Sequence, residues 1–147
     1  MAMIRLPTRL SDGKANLHQG AIGVGIDIPT GITRRGVWNS EIVGEHPDTE
    51  HTIVGLQIPR WDELLMIGAK AYELCELGYV GVDVVLDKDL GPLVLELNAR
   101  PGLAIQIANG NGALHRLRKV QELERLGQLS KDPAERVAFA KAHFPTT

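Results

Sequence analysis

The stretch Tyr79-Val80-Gly81-Val82-Asp83-Val84-Val85-Leu86, the acidic turn Asp87-Lys88-Asp89-Leu90-Gly91 and the stretch Pro92-Leu93-Val94-Leu95-Glu96-Leu97-Asn98 read as two strands and the loop between them. Both flanks are aliphatic runs bounded by turn residues, the signature of a hairpin. With Asp87 facing Pro92 across the loop, Asp83 meets Glu96, Gly81 meets Asn98 and Val85 meets Val94. Facing residues of an antiparallel pair point to the same side. One side then holds Val82, Val84 and Leu86 against Leu93, Leu95 and Leu97, a wholly apolar surface predicted to be core. The other holds Asp83, Glu96 and Asn98, with Gly81 leaving space beside them.

On that polar side, Glu96 and Asn98 stand about 6.6 Å apart along one strand, and the Cβ atoms of Asp83 and Glu96 about 5 Å apart across the pair. Facing carboxylates repel and destabilise a bare sheet. A divalent cation between them reverses the sign. Two carboxylates and an amide oxygen are hard ligands of the kind magnesium takes, and magnesium held by few protein groups keeps positions open for phosphate oxygens. The competing reading is a solvated polar face, which a one-residue slip in register would favour.

Upstream, Met3 to Leu6 reads as a short strand and Pro7 to Asn16 as a loop with turn chemistry at Ser11-Asp12-Gly13. The segment Ser11 to Gly20 combines glycines with Lys14 and enters a strand, so it offers backbone N–H groups and a cation to a phosphate. Ala21 to Ile28 and Ile32 to Trp38 form a hairpin around Pro29-Thr30-Gly31, with Arg34-Arg35 as a solvated end. Glu41 to Pro59 is irregular, with room for one short strand. Pro59 to Leu77 is the clearest helix: Trp61, Leu64, Leu65, Gly68, Ala71, Tyr72 and Cys75 share a face, Asp62 and Glu63 suit the first turn, and Gly78 ends it. Cys75 on that face is expected to be buried and inert. Leu114 to Leu126 and Pro133 to His143 are further helices, separated from the hairpin by a loop at Asn109-Gly110-Asn111-Gly112. His46, His51, His115 and His143 are scattered and read as surface residues. The predicted class is α+β, a mostly antiparallel sheet with helices on one face.

The 147 residues suit one domain. Sixteen basic against eighteen acidic residues, a net charge of −2, give no electrostatic case for nucleic acid or an anionic membrane. One cysteine excludes an internal disulfide framework. No apolar run approaches the roughly 18 residues of a spanning helix. Met1 to Leu10 lacks a signal-peptide pattern, so the expected location is cytoplasmic.

Gly81-Val82-Asp83 followed by Leu95-Glu96-Leu97-Asn98-Ala99-Arg100-Pro101-Gly102 resembles the C-terminal metal-binding motif of the ATP-grasp ligases. Gly13-Lys14-Ala15-Asn16-Leu17-His18-Gln19-Gly20 is similar to the corresponding loop of the ribosomal-protein glutamate ligases in that superfamily. The likeness runs from about Ile4 to Ile107, nearest to the α-L-glutamate ligase-like branch. It implies an ATP-dependent carboxylate–amine ligase that works through an acyl phosphate. Asp83, Glu96 and Asn98 would hold one or two Mg2+ ions, or Mn2+, on the ATP phosphates, with Glu96 bridging. Lys14, Ala15 and Asn16 would contact ATP, and Arg100 and Lys14 would serve the chemistry. His18 and Arg100 would meet substrate. Where this chain has Lys14 the family often has arginine. The implied partners are ATP, a carboxylate substrate and an amine such as glutamate or a peptide, with no nucleic acid and no membrane.

Residues 1–128 would be the C-terminal catalytic subdomain of an ATP-grasp fold and 129–147 a helical tail. The resemblance begins within a few residues of Met1 and omits the N-terminal part and central subdomain. The expectation is therefore the C-terminal portion of a ligase about twice as long, whose open face a second copy or the missing subdomain would cover. A non-catalytic nucleotide- or metal-binding remnant, or an interaction module acting with a partner chain, is the alternative.

Overall fold

The computed structural model describes residues 1–145. It has an α+β fold with antiparallel pairing throughout. Strands β1 (Ala2–Leu6), β2 (Ile22–Ile26), β3 (Thr33–Trp38) and β4 (Glu41–Val43) form one sheet in chain order, while β5 (Gly81–Asp87) and β6 (Gly91–Asn98) form a second. The helices are α1 (Trp61–Cys75), α2 (Ala104–Asn109), α3 (Leu114–Arg125) and α4 (Pro133–His143), and Leu17–Gln19 is a single 3-10 turn.

The two faces of β2 explain how the larger sheet is covered. Ile22, Val24 and Ile26 alternate with Gly23 and Gly25, so one face is aliphatic and the other bare backbone. On the aliphatic face, Ile22 and Val24 pack with Ile53, while Ile26 packs with Ile28, Ile58 and Trp61. The Trp61 indole N–H donates to the Ile28 carbonyl at 2.9 Å, and Leu64 and Leu65 extend the same contact, so α1 closes this side. On the glycine face, α2 lies against the backbone: a Cβ on Gly25 would stand 2.5 Å from the Ala108 carbonyl oxygen. Helices thus take both faces of this sheet, where the pattern predicts one. The short helix α2 is not legible in the sequence, because six residues give too little periodicity to separate from loop.

The periodic face of α1 is only partly core. Trp61 and Ala71 are buried, whereas Tyr72 is half-exposed and lies under the Arg136 guanidinium, 5.6 Å from ring centre to Cζ. Arg136 and Lys141 of α4 form ion pairs with Glu73 and Asp62 of α1. The helix ends at Cys75 with Glu76 in the left-handed region (φ 55°), so Gly78 is not the terminator that the pattern predicts. Cys75 is half-buried rather than buried, and its thiol donates to the Ala71 carbonyl at 3.1 Å.

The tip of the second hairpin rests on the start of α1. Gly91 has φ +82°, and the Arg60 guanidinium fills the place a Cβ would take, while Arg60 makes a two-pronged pair with Glu63 at 2.7 and 2.9 Å. Leu86 joins the Trp61 cluster. Among the described residues no helix is long and apolar enough to cross a membrane.

Gly25→Ala is expected to cost about 1–3 kcal/mol in urea denaturation, because backbone of α2 has to move. Gly23→Ala, whose nearest neighbour is the flexible Leu17 side chain at 3.2 Å, is expected to cost under about 1 kcal/mol. Equal losses at the two positions would contradict close packing of α2 on β2.

Candidate functional site

The hairpin register decides which side chains meet. Asp83 pairs with Glu96, Gly81 with Asn98 and Val82 with Leu97, as predicted. The register then shifts between Asp83 and Val84, so that Val84 faces Val94, Val85 faces Leu93, Leu86 faces Pro92 and Asp87 faces Gly91. Leu95 is the extra residue of this bulge. The predicted pairings of Val85 with Val94 and of Asp87 with Pro92 are therefore corrected by one position. The cause is the loop, closed by three residues with Gly91 in the left-handed region, the usual geometry of a three-residue hairpin connection.

The bulge also changes the predicted core face. Val82, Val84, Leu86 and Leu97 are half-buried, but Leu93 now shares Val85's side and Leu95 is 66% exposed. Val85 and Leu93 are exposed on one side of the hairpin, Val94 is exposed on the side of Val84, and Leu95 is exposed at the bulge. Gly81 does not leave open space either. A Cβ there would lie 2.9 Å from Pro101, so the glycine lets Arg100-Pro101-Gly102 fold back over the strand.

Arg5 meets the acidic pair from β1, its Nη2 standing 3.1 Å from Asp83 Oδ1, with both side chains 36% exposed. A pair this open to water is worth no more than about 1 kcal/mol, and it leaves Asp83 accessible. Glu96 is exposed. Asn98 accepts the Arg100 backbone N–H at 2.9 Å through Oδ1, which uses one of that oxygen's two lone pairs. The Arg100 side chain is exposed. Among the described residues no three His, Cys, Asp or Glu side chains converge as a metal cluster, so any cation here would rest on two carboxylates and an amide.

The second constellation is a turn bonded largely within itself. Thr8 and Ser11 are buried and bond each other: the Thr8 N–H donates to Ser11 Oγ at 2.9 Å, the Ser11 hydroxyl donates to the Thr8 carbonyl at 3.0 Å, and the Thr8 hydroxyl donates to the Gly20 carbonyl at 2.9 Å. The N–H groups of Asp12, Gly13 and Lys14 donate to the carbonyls of Arg9, Thr8 and Ser11. They close the turn on itself and are not offered to a phosphate. Lys14 remains the loop's cation, 3.6 Å from Asp12 and well exposed. Asn16 Oδ1 accepts the His18 N–H at 3.0 Å and caps the 3-10 turn, while Ala15 and His18 are exposed. Among the described residues no hydrogen bond or ion pair joins this loop to the hairpin.

Of the expected solvated pair, Arg34 is exposed and Arg35 half-buried. Arg34 lies 3.8 Å from the buried Asp27, which also accepts the Thr30 hydroxyl at 2.6 Å, and Arg35 reaches over Gly110 at the α2–α3 junction. His51, His115 and His143 are exposed, and His46 is half-buried, bonded to the Pro7 carbonyl at 2.9 Å. The residue missed in the sequence is Arg5. Its signal was a lone cation inside the strand Met3-Ile4-Arg5-Leu6, which has to point away from the side where Ile4 and Leu6 pack.

Asp87 organises the hairpin loop: its carboxylate accepts the N–H groups of Leu90 at 2.8 Å and Asp89 at 2.9 Å, and those bonds hold its pKa below the usual carboxylate range. A lowered folded pKa means the loop's support is present above the unfolded value and is lost as pH falls through the folded one. The Asp89 and Leu90 amide resonances are expected to titrate together, with a midpoint below 3.8. A midpoint at or above that value would contradict the loop bonds.

A comparison with known protein families matches residues 1–122 to the family described as sugar-transfer associated ATP-grasp. Neither the curated proteins nor the solved structures give a match. The family match takes in both sheets, the acidic hairpin and the Lys14 loop, and on that ground the chain belongs to the sugar-transfer associated ATP-grasp family.

Proposed function

We propose that the chain carries the phosphate-facing site of an ATP- and magnesium-dependent carboxylate–amine ligase. The observation that supports this best is the facing register of Asp83 and Glu96, with Asn98 two residues further along the same face, in a member of an ATP-grasp family. The donor set suits the ion: two carboxylates that repel each other and one amide oxygen are hard ligands. The guanidinium already beside Asp83 is in keeping with a cationic partner at that point. Asp83, Glu96 and Asn98 would hold one or two Mg2+ ions, or Mn2+ in their place. The ion would neutralise and align the phosphates, which is most of what phosphoryl transfer requires.

In this reading Lys14 and Arg100 supply the remaining positive charge. Both are exposed, and Lys14 is held only by its weak pair with Asp12, so each has the freedom to turn toward a phosphate or a carboxylate. Ala15 and Asn16 would line the ATP side of the loop, and His18 and Arg100 the substrate side. The substrate carboxylate attacks the γ-phosphorus and ADP leaves. An amine then attacks the acyl phosphate, a C–N bond forms and phosphate departs. A glutamate or peptide amine agrees with the resemblance of the Lys14 loop, whereas the family's description speaks of sugar transfer and lends glutamate no support. Residues 1–128 would form the catalytic subdomain and 129–147 the tail.

The exposed aliphatic side chains of the hairpin, Val85 with Leu93 on one side, Val94 on the other and Leu95 at the bulge, favour a second reading, in which the chain binds nucleotide or metal but completes its chemistry with a further protein surface.

Saturating Mg·ATP is expected to raise the melting temperature by roughly 5–10 °C, since ligand at a hundredfold its Kd adds about 2.7 kcal/mol. Glu96→Gln should remove most of that shift and leave the ligand-free midpoint equal or higher, because a repulsion is relieved. An unmoved wild-type midpoint would overturn the proposal. A full shift retained in Glu96→Gln would remove Glu96 from the site. A shift without any ADP release in the presence of carboxylates and amines would favour the second reading.

A further inference from the structure

We propose that Arg5 and a divalent cation compete for the carboxylate of Asp83, and that the guanidinium so released is the group that meets a phosphate oxygen of the nucleotide. This rests on the reading of Asp83, Glu96 and Asn98 given above and adds a residue that neither the motif nor the loop contains.

Arg5 is the one side chain that reaches from the larger sheet to the acidic pair by an ion pair among the described residues. Its neighbours Ile4 and Leu6 pack into the aliphatic core, which turns Arg5 to the opposite face of β1. That is the face of Gly23, its partner across the β1–β2 ladder. The Leu17 side chain of the 3-10 turn comes within 3.2 Å of where a Cβ on Gly23 would stand. Arg5 therefore stands between the two constellations, beside the turn that follows Lys14 and Asn16 and against the hairpin that carries Asp83 and Glu96.

The charges favour an exchange. Asp83 and Glu96 together carry two negative charges and Arg5 returns one. A divalent cation neutralises both carboxylates and leaves the guanidinium without its partner. The Arg5–Asp83 pair is over one-third exposed on each side and is therefore weak enough to be exchanged. A guanidinium has five N–H donors in a planar fork that matches phosphate as well as carboxylate, so its change of partner needs only side-chain motion. A merely structural role, tying β1 to β5, predicts something else: loss of Arg5 would loosen the hairpin and weaken every ligand together.

The test uses the 147-residue chain and two separate ligands. Free Mn2+ is followed by its electron paramagnetic resonance signal with no nucleotide present, and Mg·ADP is followed by isothermal titration calorimetry. In Arg5→Gln, Mn2+ alone is expected to bind about threefold more tightly, because a competing surface ion pair is gone. Mg·ADP is expected to bind about tenfold more weakly, because a charge-assisted hydrogen bond to phosphate is lost. Opposite signs support the inference. Unchanged or weaker Mn2+ binding overturns it, as does unchanged nucleotide binding. Should Arg5→Gln fail to fold, Arg5→Lys carries the same test: a single ammonium holds Asp83 less well than the fork, so both shifts keep their signs at smaller size, and shifts of like sign overturn the inference. A wild-type chain that binds no Mg·ADP overturns the proposed function, and this inference with it. Wild-type binding without opposed responses overturns the role of Arg5 alone.

Discussion

Two carboxylates of neighbouring strands are held on one side of a hairpin, and the rest of the fold makes that tolerable. Asp83 and Glu96 face each other because the register at the open end of β5 and β6 is fixed by Gly81 against Asn98. The pair would repel in a bare sheet, and the structure answers with a guanidinium from another sheet. That answer is partial. One positive charge meets two negative ones at a place open to water, and on that imbalance the proposed cation site rests.

Fixing that register takes parts far from the acids. Arg60 lies over Gly91 and grips Glu63, which sets the hairpin tip on the first turn of α1. Leu86 anchors the underside in the Trp61 cluster. Arg5 in turn depends on β1 being pinned by Ile4 and Leu6 to the core face of the larger sheet. The two sheets are therefore related through α1 on one side and the Arg5–Asp83 pair on the other. The bulge at Leu95 lies next to the acids, where an extra residue re-aims side chains and increases local twist. It puts Leu93 on the side of Val85 and leaves Leu95 exposed.

Much of this was legible in the residues. Alternation put Asp83 and Glu96 on one face, and the pairing expected with Asp87 facing Pro92 is kept at the open end because the bulge offsets the shorter loop. The helix at Trp61 followed from its period, and the helix expected over Pro133 to His143 has those bounds in the structure, where Asp132 caps it. What was not legible is mostly geometry that a pattern does not encode. The bulge depends on how the Lys88-Asp89-Leu90 loop closes, and one residue more or less changes every facing pair beyond it. Gly81 read as a gap because sequence does not say that Pro101 returns over it. The Lys14 loop has the composition of a phosphate cradle without the spacing of a P-loop, and its first N–H groups bond within the turn, as an ordinary polar turn does. Arg5 was overlooked because one cation in a short strand has no period to stand against.

The Lys14 loop and the hairpin differ in a way that bears on how the site works. The hairpin's register sets Asp83 opposite Glu96, whereas the loop offers one exposed ammonium on a turn in which the N–H groups of Asp12, Gly13 and Lys14 are already bonded. In the proposed function the negative charge would attract the cation, and the cation's phosphates would then need positive groups able to turn toward them. Lys14, Arg100 and Arg5 all meet that condition, because each has at least a third of its side chain open to water or has only a weak partner. In the proposed function such a site would order its contacts by strength: the carboxylates would set where the phosphates come to rest, and the flexible cations would adapt to them.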